Sequence, residues 1–210
     1  MLWYEHRRGQ LHVDNVTITL LTMAAFLGFM SIVELPWLRF VMIIGSGIVM
    51  ACLFSWTHSK PSVVHHHHKI VRRLMMMLLV FDAYALMATF FAIALFFQSL
   101  PFWILSIVSG ALYSGIAVLV WRRYFTPPLH TFLFPASIIL FVMTEIVFVI
   151  HLLPFGYLVL GLLATWVWYI VQLFFRLHFT PQDIVWRKQT AFLIINGVAF
   201  AFLLFFVRWI

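Results

Sequence analysis

The chain has 210 residues, 65% of them hydrophobic and only 9% charged, with a mean hydropathy of +1.07 and a formal net charge of +7. A soluble domain carries about 25% charged residues, so this composition cannot build a water-facing surface and marks a polytopic membrane protein. No basic tract is long enough, or interleaved enough with aromatics, for nucleic acid, and Cys52, the only cysteine, can form no intrachain disulfide.

Residues 1–15 are polar, carry Arg7 and Arg8, and read as a cytoplasmic N-terminal segment. The apolar run from Val16 to Val33 is about 18 residues, enough to cross a hydrocarbon core of roughly 30 Å. It exceeds the about 7–15 residues of a signal-peptide core, and Glu34-Leu35-Pro36 is a poor cleavage site, so it reads as a retained first span. Further spans are expected at Trp37 to Trp56, Leu74 to Phe97, Phe102 to Trp121, Leu133 to Leu153, Phe155 to Phe175 and Thr190 to Val207. The fold class is therefore all-α: a seven-helix transmembrane domain over residues 16–207, with a His-rich basic cytoplasmic loop at 57–73.

Orientation follows from the basic residues. Eleven of the 13 Lys and Arg fall in residues 1–15 and in the 57–73, 122–132 and 176–189 loops, all on one side; only Arg39 and Arg208 fall on the other. The N-terminus is expected in the cytoplasm and the C-terminus outside. The outer turns Leu35-Pro36-Trp37, Leu100-Pro101-Phe102 and Leu153-Pro154-Phe155 are followed after 25, 26 and 27 residues by Pro61, Pro127 and Pro181. Phe125-Thr126-Pro127 and Phe179-Thr180-Pro181 repeat as well. Three parallel helix hairpins plus a seventh helix is the simplest architecture, although tight turns favour proline in any case.

Small residues recur at four-residue spacing: Ser106, Gly110 and Ser114; Gly47, Ala51 and Ser55; Gly161 and Thr165; Gly197 and Ala201. This spacing lets helix backbones approach closely where lipid removes the hydrophobic incentive to associate. Gly45-Ser46-Gly47 has the look of a nucleophile turn, but no histidine lies at matching depth to serve as its base.

Two carboxylates fall within spans. Asp82 lies roughly 12 Å and Glu145 roughly 18 Å along spans that run in the same direction, a difference that two side chains on neighbouring helices can bridge. An ionised carboxylate at the bilayer centre costs about 2.5–3.5 kcal/mol, so each is expected to face the interior, to find a partner or to stay protonated. Asn196 in the last span is the expected hydrogen-bond partner of Glu145. Asp82, Glu145 and Asn196 are thus the candidate polar path or proton-binding set, against the plainer reading of interhelical glue. His151 lies about 120° around the helix from Glu145, so the two form no ligand pair. Glu34 can pair with Arg39 at the outer surface. His65, His66, His67 and His68 are weak metal candidates, His65 and His68 sharing a face if helical, but no acid or cysteine closes the site. The sequon at Asn15 lies on the cytoplasmic side and is discounted.

No nucleotide loop, zinc-protease pair or cofactor fingerprint occurs, and no cofactor is expected. The function taken forward is a small transporter or channel using the buried carboxylates. The alternative is a non-catalytic subunit or scaffold of a membrane complex, whose partner is another membrane protein or a second copy. An intramembrane lipid-modifying enzyme is the third. Short loops and the lack of a targeting signal point to a bacterial inner membrane.

Overall fold

Proline and short polar breaks cut the chain into helices. The computed structural model describes residues 2–58, 65–97, 99–125, 130–179 and 186–206. Seven helices occupy them: α1 (Leu2–Ile32), α2 (Pro36–His58), α3 (His65–Phe96), α4 (Phe102–Tyr124), α5 (His130–His151), α6 (Tyr157–His178) and α7 (Trp186–Phe206). No strand occurs among the described residues. Six helices are long and apolar enough to cross a membrane, and the apolar stretch of α7, Thr190–Leu203, is shorter.

Two expected boundaries move. Helix α1 starts at Leu2 rather than after a separate polar segment, because nothing between Leu2 and Val16 interrupts a helix strongly: there is no proline and only Gly9. The expected 57–73 loop is largely helical backbone as well, since α2 runs to His58 and α3 starts at His65. Pro61 falls between them, at 59–64, outside the described residues.

The described chain divides into two compact units, Met1–Thr89 and Phe90–Ile210. In the first, α1 ends where Val33 N–H bonds the Phe29 carbonyl, and Pro36 opens α2 at the first helical position, where its missing N–H costs nothing. Arg39 donates to the Val33 carbonyl at 2.8 Å. The guanidinium thus caps the end of α1, and this is the contact that Arg39 makes in place of the expected pairing with Glu34. Buried α1 residues Ile18, Thr22, Ala25 and Phe29 recur at helical spacing. Phe26 meets the Phe81 ring at 5.1 Å, and Phe29 meets Tyr84 at 5.7 Å, so α1 and α3 run side by side in the same direction.

In the second unit α4 and α5 form an antiparallel pair. Phe102 stacks on His151, Ser114 Oγ donates to the Ala136 carbonyl at 2.7 Å, and Trp121 meets Phe132 at the other end. Gly110 makes the approach possible: a Cβ there would lie 2.6 Å from the Leu140 carbonyl oxygen and would collide with Thr144 Oγ1. Helix α6 lies parallel to α4, tied by Tyr113 and Thr165 hydroxyls 2.9 Å apart and by Trp168 Nε1 donating to the Tyr113 carbonyl at 3.0 Å. At the arginine-bearing end Trp121, Phe132, Phe175 and Phe179 cluster, and Arg176 lies 4.8 Å over the Tyr124 ring.

Candidate functional site

The polar residues with the strongest claim to chemistry are those the helices carry away from their ends. Asp82 sits in the apolar stretch of α3, Arg73–Phe96, and is 0% exposed. Thr22 on α1 donates its hydroxyl to Asp82 Oδ2 at 2.7 Å, while Oδ1 has no hydrogen-bond partner. Thr22 is itself fully buried. The aromatic pair Phe26 and Phe81 closes over the same stretch of the α1–α3 seam. A buried carboxyl group held by one hydroxyl of the facing helix ties α1 to α3.

The sequence reading found Asp82 but not its partner. Thr22 was legible only as one member of the series Asp14, Ile18, Thr22 at four-residue spacing, and that series begins inside the stretch read as a polar cytoplasmic tail. Asp14 is in fact buried on the same face of α1 and is partnered there.

Glu145 lies elsewhere. It occupies the exposed face of α5, in an outward stripe with Phe134, Ser137, Phe141 and Phe148, and it has no hydrogen-bond or ionic partner among the described residues. It stands six residues before the end of α5, about 9 Å along the axis. Asn196 does not reach it. Its Oδ1 accepts from Trp166 Nε1 on α6 at 2.9 Å, and its Nδ2 donates to the Phe192 carbonyl at 2.8 Å. That corrects the expected Glu145–Asn196 pairing: Asn196 is already engaged by an indole, and Phe200 packs edge-on against the same Trp166 ring.

One buried polar group stands unclaimed. Gln172 on α6 is 0% exposed, and neither its Oε1 nor its Nε2 has a hydrogen-bond partner. The backbone carbonyl of the same residue accepts from Trp121 Nε1 at 3.4 Å, which anchors the turn but not the amide.

His65, His66, His67 and His68 form the first turn of α3, so His65 and His68 do fall on one side of a helical backbone. Their side chains lie outside the described residues. Among the described residues no three His, Cys, Asp or Glu side chains gather where they could hold a metal ion. Compared with protein-family models, with curated proteins and with solved structures, the chain matches none.

Proposed function

We propose that this protein is a non-catalytic membrane subunit that assembles with another membrane protein through the outward stripe of α5. Glu145 is the polar anchor of that stripe. The observation that carries the reading is the placement of Glu145: a carboxylate among exposed phenylalanines, about two turns from the helix end, with no described partner. Such a group is costly in hydrocarbon, at about 2.5–3.5 kcal/mol when ionised. A partner helix bearing a Lys or Arg at that depth removes the cost and, by opposite charge, selects itself.

The interior supports the same reading. Asp82 is sealed beside Thr22, and Asn196 is spent on Trp166. Each makes a helix-to-helix contact within its own unit, which suits a structural role. The transport reading retains the unpartnered Oδ1 of Asp82 and the unpartnered Gln172 amide in its favour.

The finer topology belongs to the same proposal: seven crossings, N-terminus in the cytoplasm, in a bacterial inner membrane. Helix α7 is apolar over Thr190–Leu203, which crosses a thinned or locally matched bilayer. The three-hairpin reading draws support from the parallel register of α4 on α6, where Tyr113 meets Thr165 and Phe125 meets Phe179. These offsets are close to the 53 residues between Pro101 and Pro154.

The test is photocrosslinking in the cell's own membranes, with benzoylphenylalanine placed singly at Phe141, at Phe148 and, as a control, at Phe40 on the exposed side of α2. One protein adduct of constant mass is expected from the two α5 positions, lost in Glu145→Leu and absent from Phe40. Lipid adducts alone sink the proposal. An adduct of twice the chain's own mass replaces the foreign partner with a second copy.

A further inference from the structure

A cavity of about 340 Å³ opens in the second unit, at the end opposite Arg122, Arg123 and Arg176. Its size falls within the roughly 300–1,000 Å³ of small-molecule sites. It is walled by the last turn of α3, the end of α5, the α5–α6 turn and the first turn of α6, with Phe91, Leu95, Phe155 and Leu160 as apolar surface and His151 and Tyr157 as polar surface. The Tyr157 ring and the His151 imidazole are each half-buried.

The imidazole is held by packing rather than by hydrogen bonds. Phe102 covers one face, centroids 3.6 Å apart and planes 12° apart, and Phe91 lies 6.4 Å away at 13°. Phe91 and Phe102 are themselves within 20° of parallel. No described group hydrogen-bonds either ring nitrogen. A packed imidazole with no described hydrogen-bond partner, in a cavity wall, is a donor presented to whatever enters.

We propose that this cavity binds a flat ring bearing a neutral carbonyl and carried on an apolar tail, the quinone class, with the His151 N–H donating to the carbonyl oxygen. Three features select that chemistry. Among the described residues no Lys, Arg, Asp or Glu lines the cavity, which disfavours phosphate, carboxylate and ammonium headgroups. A bare acyl chain fills the apolar wall but leaves the imidazole unpaired. The Phe91 ring lies beside the imidazole and within 13° of parallel to it, so a planar ring stacked on Phe91 turns its edge toward the imidazole N–H. The last residue of α5 is also where an apolar span meets water, so a ligand dissolved in the bilayer reaches it without leaving lipid. The inference concerns binding alone and goes beyond the assembly role proposed for α5.

The test uses the full chain in lipid nanodiscs and decylubiquinone as the probe, retained ligand being measured against empty nanodiscs. Saturable binding at one equivalent is expected, weakened about tenfold in His151→Phe, which keeps the ring stack and removes the donor. Leu95→Trp narrows the cavity from an exposed position and is expected to abolish binding with an unchanged melting temperature. It decides the question if His151→Phe does not fold. Three results overturn the proposal: no binding above empty discs, equal binding in folded His151→Phe or in Leu95→Trp, or equal displacement by palmitate, which would make the cavity an acyl-chain groove.

Discussion

Helices α2 and α4 carry small residues at the same spacing, and they use them differently. On α4, Ser106, Gly110 and Ser114 are all buried, and α5 lies so close that the Leu140 carbonyl and the Thr144 hydroxyl fill the space a side chain at Gly110 would need. On α2, Gly47, Ala51 and Ser55 are exposed, nothing approaches Gly45 or Gly47 within 4 Å, and Leu53 is the one buried side chain described on the helix. The spacing is therefore permissive and no more. What converts it into an interface is the facing helix: α5 supplies a carbonyl at Ala136 for the Ser114 hydroxyl and a shallow surface opposite Gly110. The pattern repeats in α6 and α7. Gly161 and Thr165 are buried, with Thr165 bonded to Tyr113, whereas Gly197 and Ala201 are exposed.

The largest effect that breaks this contrast is expected at Gly110. Gly110→Val places branched carbon against the Leu140 backbone, and neither helix can yield without separating the pair. A loss of about 3 kcal/mol is expected, at the upper end of overpacking costs, read as a fall in the thermal or SDS-unfolding midpoint of the purified protein. An unchanged midpoint would falsify the close approach of α4 and α5.

This contrast also marks how far the sequence could be read. The helices were legible because long apolar runs broken by proline and polar residues read as helices. The same local signal placed Asp82 deep in a span. What escaped was every property that depends on a facing surface. Thr22 lies 60 positions from Asp82, and no periodicity links them. Glu145 and Asn196 were matched on chemistry, whereas the Asn196 amide meets the Trp166 indole, a residue unremarkable in a chain with 9 Trp. Helix α1 ran further toward the N-terminus than its polar composition suggested, because polar residues without proline continue a helix as readily as apolar ones begin it.

A smaller effect is expected where the first unit is tied by one polar contact rather than by close backbones. Thr22→Val removes the hydroxyl that bonds Asp82 and leaves the carboxyl buried with no described partner, at a cost of about 1–3 kcal/mol. Adding Asp82→Leu should restore most of that loss, because removing both members of a buried polar pair leaves nothing unsatisfied. The double-mutant cycle, read by the same unfolding midpoint, separates glue from function. If Asp82→Leu restores stability in the Thr22→Val background but abolishes a measured ion flux in proteoliposomes, Asp82 serves transport and the assembly reading gives way.

The smallest effect is expected at the open stripe. Gly47→Leu adds a side chain at an exposed position where no other helix comes within 4 Å of the new Cβ, so the isolated chain should keep its stability within about 0.5 kcal/mol, as surface substitutions usually do. Removing a helical glycine offsets part of any loss, by up to about 1 kcal/mol. The informative measurement is the dependence on protein concentration. Cys52 lies about 140° around α2 from Gly47, so a cysteine on the stripe itself, Ala51→Cys with Cys52→Ala, reports whether two copies meet there, through disulfide formation under mild oxidant. A Gly47→Leu variant whose midpoint matches the parent at every concentration, with no crosslink through the Ala51→Cys thiol in either, leaves α2 facing lipid and α5 as the face through which the protein assembles. A midpoint that falls only at high concentration, together with that crosslink lost in the variant, moves the interface from α5 to α2, because a leucine at Gly47 can then harm only a contact between chains.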